Sequence, residues 1–152
     1  MSDKSSLGVA TPSQRQIPIA PARPEAVMEV RSTAAKGRGV FALAKFEGGE
    51  LIEAAPVILI PGEQWHHLEP TVLALYIYKF GPTDEQEHAA IALGNGSLYN
   101  HSYKPNADYI KDWDKQLIRF IALRDIEAGE EITINYNGAP EDQTPIWFEV
   151  SE

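Results

Sequence analysis

Eleven glycines and eleven prolines punctuate the 152 residues. That spacing restricts the chain to short elements, because glycine supplies turn conformations with positive φ and proline ends helices and interior strands. Hydrophobic residues make up 43% of the chain, enough for one packed core, and the length fits one domain. No apolar run approaches the roughly 20 residues that cross a bilayer as a helix, so no membrane association is expected. The first residues lack the apolar stretch of a secretory leader. There is no cysteine, which removes disulfides, thiol nucleophiles and thiolate zinc sites from the options. These features together lead to the expectation of a cytoplasmic protein.

Residues 1–25 are rich in Pro, Ser and Ala with little periodicity and read as a flexible lead-in. "AVMEVR" (26–31) reads as a first strand. "GVFAL" and "ELIEA" read as strands on either side of the turn "FEGGE", and the β-branched run "VILI" (57–60) as another. The segment 62–80 is the best helix candidate: Pro70 suits a first turn, and Val72, Leu73, Tyr76 and Phe80 give an apolar face. "AAIALG" (89–94) is a short buried strand, and 107–123 reads as a hairpin with the polar tip "DWDKQ". A further strand covers 131–136, after the phrase "DIEAGEE", which repeats the turn-then-strand design of "KFEGGEL". The tail ends in an apolar cluster, Ile146, Trp147 and Phe148, expected to dock on the body. The sum is a mainly β domain with seven or eight strands in several small sheets and one helix.

Charge is distributed unevenly. Residues 1–40 carry six Lys/Arg against three Asp/Glu, a charge of +3; residues 41–152 carry seven against nineteen, a charge of −12. Such an acidic body repels nucleic acid and favours a basic peptide or protein partner. Standard hydrolytic chemistry is not encoded, because no serine sits in a nucleophile-elbow pattern. His66 and His67 are adjacent, and neighbours on a helix point apart, so they are a poor pair for one metal ion.

Three blocks carry more information. "KGRGVFA" (36–42) exposes backbone groups through two glycines; "NHSYKPN" (100–106) places polar side chains just past an apolar strand; "GEEITINY" (129–136) ends a buried strand on a tyrosine. In this order they resemble the SET domain of protein-lysine methyltransferases. The pattern is carried by Gly37-Arg38-Gly39, by Asn100-His101-Ser102 with Pro105-Asn106, and by Gly129 to Tyr136. The resemblance spans about residues 26–137 and is nearest to the compact viral and bacterial type.

What the resemblance implies is specific. The fold would be mainly β, a β-clip of several small sheets with one or two short helices. Its NHS segment and last strand would meet in a knot-like crossing that holds S-adenosylmethionine. Lys36, Gly37, Arg38 and Gly39 would hold the cofactor's amino-acid end, with the glycines letting it approach the backbone. Asn100 and His101 would bind it further along, with Tyr136 as the catalytic residue. Tyr76 and Tyr99 would wall the substrate-lysine channel, and Trp147 or Phe148 in the tail, residues 138–152, would close the site beside the cofactor. The substrate would be a lysine in a basic protein segment, and a homodimer is plausible for the compact type.

The chain departs from the family pattern at three positions. Tyr103 stands where larger members carry a zinc-ligating cysteine, so no zinc is expected. Asn95 occupies a place where small relatives often have an aromatic, and Asn135 one where many have Asp. Asn95 leaves room for a non-catalytic binding module of the same fold as the competing reading, against which the intact Tyr136 and NHS segment argue.

Overall fold

The computed structural model describes residues 26–83 and 85–150, so the expected lead-in at 1–25 lies outside the described residues. Nine strands form in chain order: β1 (Met28–Thr33), β2 (Gly37–Ala42), β3 (Leu51–Ile60), β4 (Ile77–Phe80), β5 (His88–Ala92), β6 (Asn100–His101), β7 (Ala107–Asp112), β8 (Leu117–Ala122) and β9 (Glu131–Ile134). One α-helical turn, α1, covers Trp65–Leu68. The mainly β expectation holds, with more strands and less helix than the sequence patterns indicated.

The strands form two sheets, ordered β1-β2-β9-β6 and β4-β5-β3-β8-β7. The second sheet curls until its edge strands approach each other. Tyr78 of β4 lies edge-on to Tyr109 of β7 at 5.2 Å between ring centroids, and Phe80 meets Trp113 at 5.6 Å. The core fills the inside of this curl and the space under the first sheet. In β8, Ile118, Phe120 and Ala122 alternate inward and are almost fully buried, the period of a strand with one wet face. Strand β9 differs: Ile132, Thr133 and Ile134 are all buried, because the strand is covered on both faces.

The sequence placed "ELIEA" and "VILI" on separate strands. They form one strand, β3, which changes partner at its middle. Leu51 to Pro56 pair with β8, and Val57 to Ile60 pair with β5. Pro56 is tolerated at this changeover because it has no N–H to leave unpaired, while its carbonyl accepts from the Leu93 N–H at 2.9 Å.

The expected helix at 62–80 is broken into a 3-10 turn (Gly62–Gln64), α1, a 3-10 segment (Val72–Tyr76) and β4. Thr71 takes an extended conformation, and its hydroxyl caps the following segment by accepting from the Leu73 N–H at 3.3 Å. From Ile77 the backbone bonds go to β5. The deciding pattern is the alternation Tyr76, Tyr78, Phe80, which has a period of two. Val72 and Leu73, which the pattern assigns to a helical face, remain exposed.

The repeated phrase has a structural meaning. Phe46 bridges Ile126, and the turns around them anchor each other reciprocally. Gly129 N–H donates to the Ala42 carbonyl and Ala42 N–H to the Glu130 carbonyl; Gly49 N–H donates to the Ala122 carbonyl and Ala122 N–H to the Glu50 carbonyl. Gly49 and Gly129 have φ of +86° and +94°, which only glycine adopts without strain. The two turns thus join the sheets and fix where β9 starts.

His66 and His67 are exposed, and their rings lie 3.9 Å apart rather than diverging. No third His, Asp, Glu or Cys among the described residues completes a metal cluster with them. Among those residues no helix is long and apolar enough to cross a membrane.

Candidate active site

Two distant blocks of the chain meet at β9. Strand β6 pairs with it in parallel, Asn100 opposite Thr133 and His101 opposite Ile134, and the Ser102 N–H continues the ladder to the Ile134 carbonyl at 2.9 Å. On its other side β9 pairs with β2. Beyond the two-residue β6, Asn106 completes the edge. Its Nδ2 donates to the Glu131 carbonyl at 2.8 Å, and its Oδ1 accepts from the Thr133 N–H at 2.9 Å. A buried carboxamide satisfies two backbone groups that a short strand would leave orphaned. The motif alone does not signal this role for Asn106, because the backbone groups it satisfies lie on a distant strand.

Asn100 ties three strands together. Its Nδ2 donates to the Arg38 carbonyl on β2 at 2.9 Å and to Glu131 Oε1 on β9 at 2.7 Å. The other Glu131 oxygen, Oε2, lies 3.8 Å from Lys36 Nζ. Glu131 is therefore the hub of a polar cluster with Asn100 and Lys36. A Cβ on Gly39 would stand 2.5 Å from Glu131 Oε1 and 2.8 Å from Asn100 Nδ2. The lack of a side chain at 39 thus makes room for this internal cluster. Gly37 is the open position: its φ is +73°, and nothing lies within 4 Å of where a Cβ would be.

His101 is 2% exposed. Its Nδ1 accepts from the Tyr136 N–H at 3.0 Å, so that nitrogen carries no proton and the bond fixes the tyrosine's backbone to β6. Tyr136 turns its ring toward a cavity and donates its hydroxyl to the Tyr99 carbonyl at 2.8 Å. Burial, followed by the nearby Glu131 carboxylate, pushes the Tyr136 phenol up to about 12. It is thus a neutral phenol across the physiological range, with its proton engaged and its lone pairs available.

Tyr99 itself does not line the cavity. Its ring is 1% exposed, packs on Phe120 at 4.5 Å, and sends its hydroxyl to Glu53 Oε2 at 2.7 Å. The expected channel wall is a core residue, and only its backbone carbonyl reaches the site. Asn95 likewise lies outside the cavity, its N–H donating to Glu53 Oε1 at 3.0 Å.

The cavity beside Tyr136 measures about 380 Å³ and is bounded by Lys36, Gly37, Arg38, Tyr76, Asn100 and Trp147. Leu75, Ser97 and Leu98, which no motif marked, complete its wall. Ser97 Oγ donates to the Tyr76 carbonyl at 2.8 Å and so holds the 3-10 segment against this wall. A second compartment of about 210 Å³ adjoins it through shared Lys36, Asn100 and Phe148 and reaches His101. The tail covers both. Trp147 stacks on Tyr136 at 6.1 Å and 21°, and Phe148 stands edge-on to His101 at 6.4 Å. The site residues singled out from sequence therefore converge, except that Gly39 and the Tyr99 ring do not line either compartment.

The SET domain family matches residues 37–137. A relative from Schizosaccharomyces pombe, the histone-lysine N-methyltransferase specific for H3 lysine-37, is 36% identical over 123 residues, covering 80% of this chain and 77% of its own. The crystal structure of a candidate histone methyltransferase from Plasmodium falciparum superposes with a TM-score of 0.57 at 29% identity, covering 74% of this chain and 98% of that one. The chain belongs to the SET-domain family of lysine methyltransferases.

Proposed function

We propose that the protein transfers a methyl group from S-adenosylmethionine to the side-chain amine of a lysine in a protein substrate. The observation that carries this reading is the neutral Tyr136 phenol. It is pinned by its own proton to the Tyr99 carbonyl and stands at the wall of a cavity with aromatic and carboxamide sides.

The residues present fit such a cofactor. The cavity lies within the ~300–1,000 Å³ range of small-molecule sites. The rings of Tyr136 and Trp147 offer π-faces to a cation. Gly37 leaves its face of β2 open to close approach, and Lys36 offers an ammonium group at the junction of the two compartments.

S-adenosylmethionine supplies a methyl group made electrophilic by a sulfonium, so the protein's task is alignment and proton management. Free lysine has a pKa near 10.4, so presenting it as a neutral amine at pH 7 costs about 4–5 kcal/mol. An apolar channel lowers that cost by disfavouring the ammonium form, and Leu75, Tyr76 and Leu98 provide such a surface. Tyr136 does not act as the base, since its phenol holds its proton to about 12. Its role is to direct oxygen lone pairs at the reacting groups and fix their line of approach, an alignment worth several kcal/mol of the barrier. The acidic body suits a basic substrate segment.

Incubating the protein with methyl-labelled S-adenosylmethionine and a proteome extract tests this reading. Label on lysine side chains of proteins supports it. Cofactor binding by calorimetry with no transferred label would instead establish a binding module, and label confined to small molecules would overturn the protein substrate.

A further inference from the structure

The tail that covers the cavity is held in an unusual way. Trp147 is 68% exposed and Phe148 44% exposed, so burial alone does not fix them. The chain has no cysteine with which a metal or disulfide could pin them. What holds them is a series of hydrogen bonds, most of them from carboxamides. Asn135, 2% exposed, donates through Nδ2 to the Asp142 carbonyl at 2.6 Å and to the Pro140 carbonyl at 3.3 Å. Its Oδ1 accepts from the Asn137 N–H at 3.0 Å, and Asn137 Nδ2 donates to the Thr144 carbonyl at 2.7 Å. These bonds shape the turn. Two more bind it to the body, both at Tyr103: Gln143 Nε2 donates to the Tyr103 carbonyl at 3.0 Å, and the Ile146 N–H donates to the Tyr103 hydroxyl at 3.2 Å.

We propose that Tyr103 is the latch of a metal-free strap, residues 137–148, and thereby a positioning residue that sets Trp147 and Phe148 over the cavity. The latch sits directly before the two rings in the chain, at Ile146. Its own ring packs edge-on against His101 at 4.5 Å and 88°, so the tail is referenced to the segment that carries Asn100 and His101. Asn135 has a matching requirement. An aspartate there would have no proton to give two carbonyls and would be a buried charge facing their negative ends. The inference rests on the reading of the cavity as a cofactor site.

Tyr103→Phe removes the hydroxyl and keeps the ring on His101. In the ligand-free protein, the Ile146 amide is expected to exchange with deuterium roughly five- to tenfold faster, the scale of one partly exposed hydrogen bond. Calorimetry should show S-adenosylhomocysteine binding weakened about three- to tenfold, with the cofactor KM raised and kcat at saturation changed less than twofold. Gln143→Ala, a surface change, should act in the same direction. In a Trp147→Ala background, Tyr103→Phe should weaken binding less than it does in the wild type, because the latch acts in part through that ring. Unchanged Ile146 exchange in both variants, or full additivity with Trp147→Ala, would overturn the latch. Failure of the wild-type protein to bind S-adenosylhomocysteine would overturn the cofactor reading instead, while the exchange of Ile146 would still report on the strap.

Discussion

The Tyr136 hydroxyl donates to the Tyr99 carbonyl at 2.8 Å, and this bond separates the two tyrosines into different roles. Tyr136 gives its side chain to the cavity, whereas Tyr99 gives only a backbone oxygen. Tyr136→Phe keeps the ring stack with Trp147 and removes the oxygen that orients the reacting groups. Methyl transfer is expected to fall about a hundredfold, the cost of lost alignment, with S-adenosylhomocysteine affinity kept within about threefold. A radiolabel assay beside calorimetry checks both, and near wild-type turnover would remove the hydroxyl from the mechanism.

The same phenol sets a pH dependence of stability. Tyr136 and Tyr109 are both pushed up to about 12 by burial. Below the ordinary value near 10 the tyrosines are neutral in both folded and unfolded chains and contribute nothing. Between 10 and 12 the unfolded chain releases these protons and the folded one keeps them, so stability falls as pH rises. Each group accounts for about 1–1.5 kcal/mol at pH 11. Lys111, lowered to about 8 by burial and the nearby Lys79, acts with opposite sign between 8 and 10.5. Urea midpoints at pH 10.5 and 11.5, compared between the wild type and Tyr136→Phe, therefore isolate the Tyr136 contribution, and the drop should shrink in the variant. A midpoint that rises over this interval would contradict the assignment.

Gly39 and Gly37 make contrasting predictions although the sequence presents them as one motif. A methyl group at 39 collides with Glu131 Oε1 and Asn100 Nδ2, so Gly39→Ala should cost about 1–3 kcal/mol, the scale of overpacking. It should also weaken cofactor binding by disturbing Asn100. At 37 the space is free and only the positive φ opposes a side chain, so Gly37→Ala should cost about 1 kcal/mol. Shortening the obstructing acid in Gly39→Ala/Glu131→Ala should recover part of the Gly39 loss. Thermal melts of the four proteins close the cycle, and strict additivity would exclude the collision.

Motif residues were legible because their chemistry is local: polar side chains beside a buried strand require partners, and Asn100, His101 and Tyr136 do converge. The turns were legible as well, since Gly49 and Gly129 carry a backbone requirement in their identity. What failed depended on long-range pairing. The 62–80 segment has apolar residues at helical spacing, but hydrogen bonds to β5 turned its end into a strand, and Val72 and Leu73 stayed outside the core. "ELIEA" and "VILI" read as separate strands from their local patterns, but Pro56 between them marks a change of partner within one strand. Nothing local to Glu131 signals its role, because its partners, Lys36 and Asn100, come from two other parts of the chain.

Tyr99 provides the sharpest test of that difference between pattern and packing. Its hydroxyl meets Glu53 Oε2 at 2.7 Å, while Oε1 of the same carboxylate accepts from the Asn95 N–H at 3.0 Å. Glu53 thus braces the turn at 94–95 to the core, and a Cβ on Gly94 would fall 2.3 Å from its Oε1. Tyr99→Phe keeps the ring against Phe120 and leaves the carboxylate one partner short, at a cost of about 1–3 kcal/mol. Because the backbone carbonyl that receives the Tyr136 hydroxyl is retained, turnover at saturating substrate and the number of methyl groups added should stay as in the wild type. A fall in the urea midpoint with an unchanged product distribution by mass spectrometry is the expected result. A shift in methylation number would return the Tyr99 ring to the substrate channel.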